Sequence, residues 1–181
     1  MRESPIENRA QTGLAIDGRR ADTDSALSQS PLGRILHQDE VKARLSRHRA
    51  LIIEDDAASF GRMFMSLAAA GCRSTLARIP AQAFQMAART PPTLVIFSTT
   101  VAGGAAALVS ELRREPATTG AVLVALGSGA NKRERRRILQ LGCDGYLDKP
   151  ADRFLFATEL LLRTPPLMRA AAGMPPDAAP L

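Results

Sequence analysis

Three acids stand in a row at Glu54, Asp55 and Asp56, directly after Leu51, Ile52 and Ile53. Adjacent carboxylates repel one another, so either a cation neutralises them or they stay in water. Three more polar stretches follow apolar runs. Ser98-Thr99-Thr100 ends Leu94-Val95-Ile96-Phe97, Gly127-Ser128-Gly129 ends Val122-Leu123-Val124-Ala125-Leu126, and Asp148-Lys149-Pro150 ends Gly145-Tyr146-Leu147. A serine at Ser98 is a weak nucleophile unless a base activates it. Both histidines, His37 and His48, precede this part of the chain, so it holds no imidazole base. The chemistry on offer is therefore cation or anion binding, with no visible means of covalent catalysis.

The elements that must carry these residues follow from hydrophobic spacing. Short continuous aliphatic runs suit strands buried on both faces, expected over 51–53, 94–97 and 121–126, with shorter strands over 72–77 and 145–147. The more polar 72–77 belongs at a sheet edge. Between them, helical spacing predicts helices over 57–70, 80–89, 105–114, 132–141 and 153–162. Phe60, Met63, Phe64, Leu67 and Ala68 form the expected inner stripe of the first. Pro80 suits the opening turn of the second, and Gly71 and Gly142 stop two of them. Residues 1–31 read as a disordered leader. Residues 32–49 form an expected amphipathic helix, with Leu32, Ile35, Leu36, Val41 and Leu45 spaced around basic residues; a frayed polar linker is the competing reading. The Pro- and Ala-rich residues 164–181 read as a disordered tail.

Five strands alternating with five helices call for a parallel sheet covered on both faces. Right-handed crossovers leave few topologies, among them the flavodoxin-like (βα)5 three-layer sandwich with strand order 2-1-3-4-5. Its switch point lies between strands 1 and 3. Glu54 and Asp55 should then face Ser98, with Gly127 and Lys149 on the same crevice.

Residues 50–163 resemble a bacterial response-regulator receiver domain. The resemblance rests on Leu51-Ile52-Ile53-Glu54-Asp55-Asp56, on Pro92-Thr93-Leu94-Val95-Ile96-Phe97, and on Gly142-Cys143-Asp144-Gly145-Tyr146-Leu147-Asp148-Lys149-Pro150. It implies an acid pair for Mg²⁺ at Glu54 and Asp55, phosphoryl-binding positions at Gly127 and Lys149, and a switch aromatic at Tyr146. Mg²⁺ favours one or two carboxylates together with phosphate and water, and lysine is a point charge for phosphoryl oxygens.

Two departures mark this sequence as a degenerate form. The phospho-acceptor position, an Asp in the family, is Ser98, and the hydroxyl position after strand 4 is Gly127, with Ser128 beside it. Without the acceptor carboxylate no acyl phosphate can form, and Mg²⁺ loses a ligand, so no cofactor is expected beyond weakly held Mg²⁺. Lys149 is then expected to pair with Glu54 or Asp55. Tyr146 can be either a switching or a fixed ring.

The remaining charge lies partly in one run. Net charge is +6, and Lys132, Arg133, Arg135, Arg136 and Arg137 sit almost consecutively on one expected helix. They read either as a docking face for an acidic partner or nucleic acid, or as a solvated helix face. Aromatic residues are absent among them, which disfavours nucleic acid. The two cysteines, Cys72 and Cys143, flank apolar segments and are expected to be buried and reduced, as in a cytoplasmic protein. The start, Met1-Arg2-Glu3-Ser4-Pro5, has no apolar core of a signal peptide, and no run reaches the length a membrane helix needs. The expected function is that of a stand-alone, non-enzymatic receiver-like protein acting by phosphorylation-independent contact with a histidine kinase, a phosphotransfer protein or another regulator, with a homodimer compatible. The alternatives are a nucleic-acid-binding accessory protein and a receiver phosphorylated at a non-standard residue.

Overall fold

Leu51, Ile52 and Ile53 are almost fully buried, which a strand achieves only in the middle of a sheet with layers on both sides. In the computed structural model, which describes residues 38–127, 131–149 and 155–169, they belong to β1 (Arg49–Ile53). Four further strands complete a parallel sheet: β2 (Arg73–Ala77), β3 (Leu94–Ser98), β4 (Val122–Gly127) and β5 (Gly145–Asp148). Their order is β2-β1-β3-β4-β5, as the alternation of strands and helices predicts. β3 is buried at every position, whereas β2 is largely exposed and lies at the edge, in keeping with its polar sequence.

Side chains alternate between the two faces of the sheet. Ile52, Leu94, Ile96, Val124 and Leu147 turn to one side, where α2 (Ala57–Ala69) and α6 (Phe156–Arg163) cover them with Met63, Leu67, Phe156 and Leu160. Leu51, Ile53, Val95, Phe97 and Leu123 turn to the other. There α3 (Pro80–Arg89), α4 (Ala105–Arg114) and α5 (Lys132–Gln140) add Ala83, Leu108, Leu112 and Ile138. The result is the expected three-layer sandwich.

The chain boundaries differ in part from expectation. α1 (Gln38–Leu45) docks on the domain through Val41 and Leu45, both buried. Arg44 donates to Glu40 Oε1 at 2.6 Å across one turn, a favourable spacing for opposite charges on a helix. Helix does not continue to residue 49, because Arg49 already begins β1. Residues 1–31, with Leu32, Ile35 and Leu36, lie outside the described residues. At the other end the expected disorder from residue 164 is corrected: α7 (Pro165–Arg169) follows α6 after the single residue Thr164. Two physical reasons are visible. Pro165 suits a first helical turn, and Leu167 is fully buried in the core on the α2 and α6 side. Residues 170–181 lie outside the described residues.

The inner stripe of α2 is also rotated from the expected one. Ser59, Met63, Ser66 and Leu67 face inward, while Phe64 is 38% exposed and Ala68 is exposed. Phe60 and Phe64 pair on the helix shoulder at 5.4 Å between ring centroids. Ser66 is inward for a reason: its Oγ accepts a hydrogen bond from Ala157 N at 3.0 Å. That satisfies an otherwise orphaned first-turn amide of α6. Cys72 and Cys143 are both free and buried, as expected.

Candidate functional site

The three acids after β1 have three different tasks. Asp56 caps α2. Its carboxylate accepts from Ala58 N at 3.1 Å and from Ser59 N at 3.2 Å. Asp55 is exposed. Glu54 is buried, with its side chain fully out of solvent, and Lys149 Nζ approaches to 3.2 Å from Oε2 and 3.5 Å from Oε1. Oε1 also accepts from Asp56 N at 3.2 Å. Of the two expected partners for Lys149, the fold selects Glu54, since only that carboxylate is taken out of water and needs a counter-charge. The backbone holds both ends: Glu54 N donates to Ala77 O on β2, and Lys149 N donates to Gly127 O on β4.

Ser98 ends β3 one rung beyond the Ile53–Phe97 pair, so the topology brings it to the same end of the sheet as Glu54. It is 1% exposed. Its Oγ lies 2.7 Å from Thr100 Oγ1 and accepts from Thr100 N at 3.3 Å. This is a local turn that engages the hydroxyl. Neither contact is a general base, so among the described residues nothing hydrogen-bonded to Ser98 activates it as a nucleophile.

Gly127 ends β4, and its role is spatial. Its φ is not positive, so no backbone constraint demands glycine. A Cβ placed there would collide with Tyr146 Oη, lie 2.6 Å from Cζ, and stand 3.0 Å from Thr99 Oγ1. The ring of Tyr146, 2% exposed, thus occupies the space in which a larger residue 127 would begin. Its hydroxyl makes no hydrogen bond of good geometry among the described residues. Burial holds its pKa above the ordinary value of 10.0, with the carboxylates of Glu134 and Asp148 pushing the same way, because each disfavours a charged phenolate. Arg135 of α5 caps the ring, its guanidinium carbon 5.7 Å from the centroid, within reach of a cation–π attraction.

Lys132, Arg133, Arg135, Arg136 and Arg137 are all exposed on α5, which buries only Ile138. Asn131 caps the helix, its side chain accepting from Glu134 N at 3.0 Å. A groove of about 680 Å³ between α4 and α5 has Arg133, Arg136 and Arg137 on one wall and Gly104, Ala105 and Ala106 on the other.

These donors make a poor magnesium site. Glu54 already has both oxygens within reach of Lys149, and Ser98 offers a hydroxyl in place of a carboxylate. Asp55 alone is left for an ion that prefers carboxylate and phosphate oxygens. Among the described residues no group of three His, Cys, Asp or Glu side chains is placed to hold a metal. No described helix is long and apolar enough to cross a membrane.

Three contacts were not anticipated from sequence. The Asp56 cap was legible as an Asp immediately before a helix. The Ser98–Thr100 turn and the Arg135–Tyr146 stack depend on rotamer and on chain packing, and no sequence signal announces them.

No protein-family model matches the chain, and no curated protein matches it. Solved structures do. The receiver domain of sensor histidine kinase PA1611 from Pseudomonas aeruginosa PAO1, determined with magnesium in its active-site cleft, is 24% identical. That match covers 70% of this chain and 98% of that one, with a TM-score of 0.56. A two-component response regulator from Clostridium difficile is 19% identical over 69% of this chain and 98% of that one, with a TM-score of 0.59. The chemotaxis response regulator CheY4 of Vibrio cholerae is 16% identical over 63% and 97%, with a TM-score of 0.57. The fold is the flavodoxin-like one that these receiver and response-regulator structures share. Within that fold, this chain carries Ser98, Gly127, Tyr146 and Lys149 at the crevice.

Proposed function

We propose that this chain is a degenerate receiver-type signalling module that acts by protein contact, without forming an acyl phosphate. The observation that carries the reading is the side chain at the tip of β3. Ser98 is buried and tied to Thr100, with no base on it among the described residues, and as a serine it gives the crevice no carboxylate at that position to accept a phosphoryl group. Two features support it. The Lys149–Glu54 ion pair neutralises the crevice from within, and the remaining donor set holds Mg²⁺ only weakly. With no base on Ser98 among the described residues, the chain is read as non-enzymatic.

Its output is then a surface. The five cations of α5 form an exposed basic face. Such a face suits a carboxylate-rich surface of a histidine kinase, a phosphotransfer protein or another regulator. No aromatic side chain is interleaved among them in the sequence, so nucleic acid fits this face less well.

The test has two arms. Incubation with acetyl phosphate, or with a phosphorylated histidine kinase, is expected to leave no hydroxylamine-sensitive label on the protein; such a label would overturn the reading. A pull-down comparing the intact chain with R133Q/R136Q/R137Q is expected to lose its partner in the variant and to be indifferent to acetyl phosphate. Retention of the partner by the variant would remove α5 as the face.

A further inference from the structure

The pole of the sheet opposite Glu54 and Ser98 carries a second concentration of charge. Arg49 opens β1 and Arg73 opens β2, and the parallel register sets them directly opposite one another. Arg89 ends α3 above the same face. The three line one cavity of about 470 Å³, whose apolar floor includes Leu51, Met86 and Pro92. Among the described residues no carboxylate lines it. Like charges directly across a strand pair are mildly destabilising, and an anion bound between them would relieve that repulsion.

The arginines are also chemically available. Arg113 shows the contrast: its donors are used on Gly142 O, Thr119 O, Ala121 O and Asp144, a purely structural clamp. Arg49 gives Nε and one Nη2 proton to Pro91 O, at 3.3 and 3.0 Å, which orients its guanidinium and leaves its Nη1 donors uncommitted. Arg73 and Arg89 are exposed and make no hydrogen bond or ion pair among the described residues. A planar guanidinium binds phosphate or carboxylate oxygens two at a time, and is the side chain best suited to a desolvated anion. The volume falls in the range of small-molecule pockets, roughly 300–1,000 Å³.

We propose that this cavity binds a small organic anion of about nucleotide size. Its phosphate or carboxylate is held by Arg73 and Arg89, with Arg49 pre-oriented behind them. Its apolar body lies on Leu51, Met86 and Pro92. The site is at the far end of the sheet from the crevice and is independent of it.

Isothermal titration of the full chain with adenosine monophosphate tests this, since that probe carries a dianion and a flat body together. Adenosine and inorganic phosphate serve as the body-only and anion-only arms. Saturable sub-millimolar binding of adenosine monophosphate is expected, with each half weaker by at least about tenfold. R73Q/R89Q should weaken it by about tenfold or more, as loss of charge-assisted hydrogen bonds implies, while R133Q/R136Q on α5 leaves it unchanged. Both variants alter exposed side chains, and an unchanged thermal melt without ligand confirms that they fold. Absence of saturable binding, equal binding by inorganic phosphate alone, or unchanged affinity in R73Q/R89Q would overturn the proposal.

Discussion

The hydroxyl end of Tyr146 fills the space that a side chain at residue 127 would need: a Cβ on Gly127 would collide with Oη and come within 2.6 Å of Cζ. The strand pair explains the meeting. Ala125 is the register partner of Tyr146, so the ring leaves β5 on the same face and reaches along β4 to Gly127. Arg135 closes the slot from α5. An absent side chain on one strand thereby fixes an aromatic ring on the next, and that ring underlies the basic helix. The structure holds the ring packed inward, 2% exposed.

Gly127→Thr should expel the ring. Overpacking of this kind costs about 1–3 kcal/mol. Tyr146 is the sole tyrosine of a chain without tryptophan, so intrinsic fluorescence reports on it alone. The variant is expected to show lower stability in urea and stronger quenching of Tyr146 by acrylamide. Unchanged quenching would mean that the ring does not depend on the glycine.

Lys149→Met leaves the Glu54 carboxylate buried without its counter-charge. Breaking a fully buried pair costs roughly 3–5 kcal/mol. The lysine side chain, however, is 32% exposed, and water screens part of the loss. A loss of about 1–3 kcal/mol is expected in urea unfolding. Glu54→Gln in the same chain should recover most of it, since the buried charge is then gone. Absence of that recovery would show that Lys149 stabilises the fold through something other than Glu54.

Ser98→Asp creates a carboxylate in a site that is 1% exposed. The variant is expected to be less stable than the parent without metal, and to regain thermal stability as Mg²⁺ is added, because the new acid joins Asp55 as a second carboxylate for the ion. The parent should show no such Mg²⁺-dependent rise. Parent and variant responding alike would place the ion elsewhere.

Alkaline pH should destabilise the fold through groups that are buried in their protonated forms. Burial raises both thiols, Cys72 and Cys143, from 9.0 to about 11, and raises Tyr146 above 10.0, since each would become an anion in a poorly solvated place. Between each unfolded and folded value the native state holds more protons than the unfolded one, so stability falls as pH rises. The decline starts near pH 9, continues through about 11 for the thiols, and is joined above pH 10 by Tyr146. A series of urea melts from mildly alkaline pH upward checks the sign. Ultraviolet titration should find tyrosinate forming at higher pH in the native protein than in the denatured one.

Leu167 is fully buried against the core under α2 and α6. Leu167→Ala should therefore cost about 2–4 kcal/mol in a urea melt. A loss of only a few tenths would return residues after Thr164 to the status of a tail.

Much of the fold was legible because its strands are continuous aliphatic runs and its helices have local stops. Pro80 and the pair Gly103-Gly104 mark the starts of α3 and α4, and both helices span the expected residues. Both glycines of that pair have positive φ, a conformation that a local sequence signal can announce. The polar character of 72–77 foretold an edge strand for the same kind of reason: burial of a segment is a property of its own composition.

What the sequence by itself determined was therefore the alternation of elements, the sheet order that right-handed crossovers allow, and the presence of serine and glycine at two crevice positions. Only the tertiary structure decided which acid Lys149 would meet, which way the Tyr146 ring would lie, and that Arg49 and Arg73 would stand abreast. The reason is common to all three. Each depends on the register and facing of side chains brought together from distant parts of the chain, and the pattern within any one segment is blind to its neighbour across the sheet.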